Sequence, residues 1–339
     1  MKRQYVAAVF GTVAMSVLLL DTKTALYGVS QGVQLCIQTV IPSLFLFIFI
    51  SIVLTSALSG RTFAILRPIC RPLGIPEGAE SLLIMGLIGG YPVGAQCVAE
   101  AARSGAISTG CGRRLLSFCS NAGPSFIFGI GSILFSKAWM CWALWGIQIA
   151  SALTVGILMP GADESAKTFK PGNRYSLSQA LQKAITVMAM ICGWVVIFRV
   201  IIAFVNLWFL WFLPDWAVCL FCGTLELANG CCSLAKIANE QLRFILCAVF
   251  LSFGGICVSM QTYSVTEGVD SSLYLPGKLL QTVISTLIAS SIISREIRSV
   301  CICLLIFVLM SMYFVRKNLQ KRIAFSSKPM YNSIKAKRR

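Results

Sequence analysis

Apolar positions along this chain do not alternate or recur every third or fourth place. They run on. A helix that crosses about 30 Å of hydrocarbon needs about 20 apolar residues, and the runs at 5–20, 35–58, 115–136, 139–160, 184–205, 242–263, 279–293 and 300–315 approach or reach that length. This pattern predicts an all-α polytopic membrane protein with about eight transmembrane helices. The first run follows Lys2-Arg3 and looks like a signal peptide's apolar core. Asp21-Thr22-Lys23 offers no small-residue cleavage pattern, however, so a retained anchor is expected. Arg61, Arg67 and Arg71 then fall in a proline-punctuated loop that reads as cytoplasmic.

Two further apolar runs are broken in the middle. Residues 81–102 carry Gly89-Gly90-Tyr91-Pro92-Val93-Gly94, and residues 216–237 carry Gly223-Thr224-Leu225-Glu226-Leu227-Ala228-Asn229-Gly230. Half of such a run is too short to span. Arg71 precedes the first of them and Arg103, Arg113 and Arg114 follow it, so both its ends carry the cytoplasmic signal and it predicts a re-entrant hairpin. Each hairpin is followed by an interrupted span, broken at Asn121-Ala122-Gly123-Pro124 in one case and at Gly254-Gly255 in the other. By the span count the hairpins enter from opposite sides, which makes an inverted repeat. The predicted organisation is N-terminal spans and a basic loop (1–80), a first repeat (81–160), a cytoplasmic loop (161–183), a second repeat (184–278), C-terminal spans (279–315) and a basic cytoplasmic tail (316–339), with both termini in the cytoplasm.

Composition agrees with lipid as the solvent. Hydrophobic residues make up 57% and charged residues 12%, with a mean hydropathy of +0.81, against about 45–50% and about 25% in soluble domains. The 29 Lys+Arg against 12 Asp+Glu invite a nucleic-acid reading. Their placement, beside apolar runs and after Val315, reads instead as topology signals and a contact with anionic lipids, and no nucleic acid is expected. Fifteen cysteines stand beside zero histidines. Cys219-x-x-Cys222 with Cys231-Cys232 is a conceivable four-thiolate site, but cysteine inside apolar runs is more simply a small packing residue. No metal or cofactor is predicted. Without histidine, an evident nucleophile–base pair or a phosphate-loop motif, an enzyme is not predicted either.

The breaks are the candidate site. Backbone freed by Gly and Pro cannot face lipid and is tolerated where it lines a wet cavity or holds a ligand. The predicted binding residues, break backbone together with nearby polar side chains, are Tyr91, Pro92, Val93, Gly94 and Gln96 at the first break, Asn121, Gly123 and Ser125 at the second, Glu226, Asn229 and Gly230 at the third, and Gly254, Gly255 and Gln261 at the fourth. Glu226 is either a functional intramembrane carboxylate or a cap on nearby half-helix amides. Asn121 faces the same choice. Arg199, late in its span, is placed to snorkel to the outer headgroups.

Gly89-Gly90-Tyr91-Pro92-Val93-Gly94-Ala95, followed by Leu116-Ser117-Phe118-Cys119-Ser120-Asn121-Ala122-Gly123-Pro124-Ser125-Phe126, resembles the nucleoside-recognition (Gate) domain family. Gly223-Thr224-Leu225-Glu226 and Phe253-Gly254-Gly255 ahead of Gln261 resemble its sporulation integral membrane protein branch. The resemblance runs from about residue 41 to about residue 281; Cys257 and Met260 depart from it by standing where more polar residues are expected. It implies a spore-stage transporter in the mother-cell-derived membrane around the forespore, with dipicolinic acid, a small aromatic dicarboxylate, as cargo. Nucleosides or other small solutes are the alternative cargo. A non-transporting membrane scaffold is the alternative class, and a homo-oligomer is left open. For an anionic cargo in a core with one arginine, backbone amides near Val93, Gly94, Ser125 and Gly230 are the expected ligands, with Glu226 protonated or paired with a coupling cation.

Overall fold

The computed structural model describes residues 2–58, 61–159, 175–294 and 298–313, apart from 303, 307 and 311. The described residues are helical and contain no strand. The basic tail, most of the 161–183 loop with Lys167, Lys170 and Arg174, and part of the 300–315 run lie outside them.

The chain begins with α1 (Lys2–Leu20) and α2 (Thr22–Leu35), joined at Asp21, whose side chain accepts a hydrogen bond from the Thr24 amide. One π-helical turn, Cys36–Val40, leads into α3 (Ile41–Leu58). Residues 22–34 had no predicted span, yet the structure carries one continuous helical run over Thr22–Leu58. The hydropathy of α2 is modest because Gly28 and Gly32 occupy its contact face. A Cβ on Gly28 would lie 2.8 Å from the Val200 Cα, and one on Gly32 2.9 Å from the Val196 Cα. The small residues let two backbones approach closely, which packing between membrane helices exploits. The π turn sits just before Pro42, where a proline ring and its missing N–H disrupt regular α-helical bonding.

A short α4 (Arg67–Cys70) leads to the first broken unit: α5 (Glu80–Ile88), α6 (Val93–Arg103), α7 (Thr109–Leu116), α8 (Pro124–Leu134) and α9 (Ala138–Leu158). After α10 (Leu177–Val205), opened by a capping box between Ser176 and Gln179, the same succession returns. It comprises α11 (Asp215–Leu225), α12 (Leu227–Ser233), α13 (Glu240–Phe253), α14 (Gly255–Val265) and α15 (Tyr274–Ile293). In both units a pair of short helices precedes a broken helix and then a long one.

Polar ties identify the ends of the bundle. Arg103 at the end of α6 donates to the carbonyls of Val265 and Glu267 after α14, Arg113 meets Asp270 at 3.4 Å, and Lys183 near the start of α10 meets Glu100 at 2.6 Å. Arg114 donates to the Gly156 carbonyl at the end of α9. All of these lie at one end. At the other, Arg243 at the start of α13 donates to the carbonyls of Leu134, which ends α8, and Ile237. The α5–α6 pair therefore opens towards the arginine-rich end and the α11–α12 pair towards the opposite one. Among the described residues, five helical runs are long and apolar enough to cross a membrane: Thr22–Leu58, Ala138–Leu158, Leu177–Leu210, Glu240–Val265 and Tyr274–Ile293. Their outward faces expose Leu46, Ile50, Ile197 and Ile201, and exposed Trp208, Trp211 and Trp216 run from the end of α10 into the first turn of α11, an arrangement suited to lipid and its interface.

Candidate functional site

Glycine sets the geometry of both broken units by letting backbone touch backbone. In the first, a Cβ on Gly94 would lie 2.8 Å from the Gly86 Cα, and one on Gly86 would lie 2.6 Å from the Cys119 Cα. In the second, a Cβ on Gly230 would lie 2.9 Å from the Gly223 nitrogen, and one on Gly223 would run into the Phe250 ring. Each hairpin's break then meets the break in the following helix. A Cβ on Gly123 would be 3.0 Å from the Gly90 Cα, and one on Gly255 would be 3.2 Å from the Leu225 carbonyl oxygen. Gly90, Gly254 and Gly255 adopt positive φ (78°, 80° and 81°), which residues with a Cβ rarely take. Pro124 opens α8, where its missing N–H is not needed.

Residues at the breaks of both units border one small cavity of about 40 Å³. Tyr91 and Gly123 line it from the first unit, Glu226 and Gln261 from the second, with Phe126, Val258 and the α10 residues Ile191 and Val195 as apolar walls. Tyr91 donates from its hydroxyl to the carbonyls of Leu251 (3.2 Å) and Ser252 (3.3 Å), tying the first hairpin to the break after α13. Glu226 is 2% exposed. Its carboxylate accepts from the amides of Ala228 (3.0 Å) and Asn229 (2.7 Å) and from the Asn229 side chain (2.8 Å). It caps α12 and lines the cavity at once. Arg199, half-buried on α10, contributes a positive field at Glu226 without ion-pair contact among the described residues.

The other predicted residues take different places. Gln96 lies on α6 beside Glu100 and lines a recess at the arginine-rich end with Arg103. Ser125 lines a groove between α3 and α8 with Gln38 and Ser43. Val93 and Pro92 are in the tight turn that starts α6, and Gly94 and Gly230 are packing glycines. The Gly94 and Gly230 amides donate to the carbonyls of Gly90 and Glu226, so neither is free for a ligand. That removes half of the expected amide cradle.

A second polar centre, not foreseen, lies behind Tyr91. Asn121 is 1% exposed and donates from Nδ2 to the carbonyls of Gly86 (3.0 Å) and Phe118 (2.7 Å). Its Oδ1 accepts from Gln281 at 2.8 Å. Lys278, fully buried, donates to the Ser120 carbonyl (2.7 Å) and to Gln281 Oε1 (2.6 Å), with Asn121 Oδ1 at 3.5 Å. Its Nζ sits 4.9 Å from the centroid of the Tyr91 ring. Gln281 also reaches Gln148 Oε1 at 3.3 Å, and Ser285 meets Ser151 at 2.9 Å. Gln148 and Ser151 belong to α9 and Gln281 and Ser285 to α15, the corresponding long helices of the two units. Lys278 stands one residue before the predicted 279–293 run and is not among the predicted site residues. The readable signal was the i, i+3, i+7 spacing of Lys278, Gln281 and Ser285, one polar stripe on a helix.

Cys219 donates to the Gly230 carbonyl and accepts from the Ser233 hydroxyl, and among the described residues there is no group of three or more His, Cys, Asp or Glu placed to hold a metal.

No protein-family profile matches the chain, and no solved structure does. Among curated proteins, the sporulation integral membrane protein YlbJ of Bacillus subtilis (strain 168) is 33% identical over 132 residues, covering 38% of this chain and 31% of YlbJ. The match spans about a third of that relative's length. With the apolar helices and their exposed faces, it identifies this chain as an integral membrane protein.

Proposed function

We propose that the chain is a secondary carrier for a small organic anion, working in a membrane that matters to sporulation, with dipicolinate as the cargo that the family resemblance implies. The observation that carries this reading is the cavity built from the breaks of both units, where Tyr91 and Gly123 face Glu226 and Gln261. Discontinuous helices meeting between two repeats are how many secondary transporters form their sites. The opposite openings of the α5–α6 and α11–α12 pairs support an inverted repeat with two re-entrant hairpins. The arginines around Arg103 support the cytoplasm as the side on which the first hairpin opens. In this reading the basic tail adds a contact with anionic lipid, and the protein carries out no covalent chemistry.

A cavity of about 40 Å³ has room for a few waters at most. Sites for drug-sized ligands run from about 300 Å³ upward. The conformation is therefore read as closed, with transport requiring the hairpins to part from α10. In the absence of a phosphate-loop motif, the energy is assigned to an ion gradient acting through Glu226. Uptake into proteoliposomes tests this directly. Dipicolinate should accumulate under an imposed proton or sodium gradient, and uridine should not. Accumulation of uridine alone selects the nucleoside reading, and no gradient-dependent uptake of either selects a scaffold.

A further inference from the structure

Lys278 is a primary amine enclosed at the depth of the helix breaks, and no carboxylate among the described residues lies within ion-pair distance of it. Its partners are all neutral: a backbone carbonyl, two side-chain amides and the face of a tyrosine ring. An ammonium inside a membrane protein carries a large desolvation penalty, and neutral acceptors offset only part of it. A second observation points to the same spot. The Ser120 hydroxyl is buried and has no hydrogen-bond partner, although the Ser120 carbonyl is one of the amine's ligands. Buried polar groups are nearly always satisfied, so an orphan hydroxyl on the residue whose carbonyl binds the ammonium marks a place where an acceptor is missing. An anion supplies both deficits at once.

We propose that Lys278 and the Ser120 hydroxyl form a carboxylate-binding subsite, with the Tyr91 ring holding its place when no cargo is bound. Tyr91 separates the cavity from the amine: its ring lines the cavity, its face lies over Nζ, and only two carbonyl contacts hold its hydroxyl. Displacing the ring joins cavity and amine into one larger space. The carboxylate then takes the ring's position over Nζ and accepts from Ser120. Glu226, whose carboxylate is engaged by three donors, offers a second carboxylate no donor across the cavity, which leaves Lys278 as the anchor. This inference rests on the carrier reading for its cargo, but it concerns binding and is testable without transport.

The full-length protein in nanodiscs is titrated with pyridine-2,6-dicarboxylate and with its uncharged isostere, pyridine-2,6-dicarboxamide. The wild type should prefer the dianion by about tenfold or more. Lys278→Met should bring that ratio to about one, Lys278→Arg should keep part of it, and Ser120→Ala should lower it about threefold. A wild-type protein without preference for the dianion overturns the proposal, as does a folded Lys278→Met protein that retains the preference. Should Lys278→Met not fold, Ser120→Ala decides, and an unaltered ratio there rejects the subsite. Uptake in liposomes separates the two readings. Lysine-dependent binding with no uptake sinks the carrier and keeps the subsite; uptake by Lys278→Met with a wild-type KM does the reverse.

Discussion

Asn121 and Glu226 stand at breaks in different units, and the structure gives them different work. Asn121 uses both ends of its amide. It holds two carbonyls that the first unit leaves unpaired, at Gly86 and Phe118, and it positions Gln281. Asn121→Ala should therefore cost stability as well as binding. Each buried partner left unsatisfied costs about 1–3 kcal/mol, so the variant's unfolding temperature should fall and its affinity for the dianion should weaken. A stable Asn121→Ala protein with normal binding would remove Asn121 from the site. Glu226 is a cap whose loss is milder. Glu226→Gln keeps an acceptor for the α12 amides and should cost about 1 kcal/mol. Binding should survive while uptake loses its dependence on the proton or sodium gradient, read by comparing uptake with the gradient imposed and collapsed. Gradient-driven uptake that is untouched by Glu226→Gln would assign the coupling elsewhere. The sequence made these two residues visible because they sit inside conspicuous Gly- and Pro-rich breaks. Lys278 was missed because the predicted span begins only at residue 279, whereas α15 starts at Tyr274 and accommodates Pro276 in its first turn.

Among elements, the hairpins depend on glycine for contact distance more than for flexibility. Gly94, Gly230 and Gly223 lie in helices, with no positive φ, and their missing side chains set how close the arms come. Gly230→Ala should push α12 off α11 and cost about 1–3 kcal/mol by overpacking. Gly146→Ala on α9, where an added Cβ meets nothing within 4 Å, should be neutral or stabilise slightly, by up to about 1 kcal/mol. Thermal unfolding of both in the same detergent compares them. Equal destabilisation would mean that general helix propensity, rather than arm spacing, is being measured. The same logic explains what hydropathy missed. The breaks were legible because Gly, Pro and Asn cluster there, and the structure interrupts its helices at 89–92, 117–123, Glu226 and Gly254. The α2 helix was not, since Gly28, Gly32, Ser30 and Gln31 dilute the apolar signal that a span is expected to show. Its stability comes from a partner helix, α10, which no local window contains.

For the whole molecule, the arrangement makes a claim about sidedness that a single labelling experiment can decide. Arg103, Arg113 and Lys183 collect at the end where α6 and α14 finish and α10 starts, while Arg243 ties the end where α8 finishes and α13 starts. Positive charge is retained on the cytoplasmic face, so the loop after α6 should lie inside and the loop before α13 outside. Ser104 and Ala238 are exposed positions in those two loops. Ser104→Cys and Ala238→Cys proteins, treated in intact cells with a membrane-impermeant maleimide and mapped by mass spectrometry, should be modified from opposite sides. Ala238→Cys should react in intact cells, and Ser104→Cys only after the membrane is opened. Mapping is needed because Cys232 is itself exposed. The closed cavity adds an internal standard: Cys119 and Cys231 flank the breaks and are fully buried, so they should resist small polar thiol reagents until cargo or a gradient parts the hairpins. Labelling of Ser104→Cys and Ala238→Cys from the same side would break the inversion between the units. The two hairpins would then open onto one face, and a carrier that alternates between faces could not be built from them.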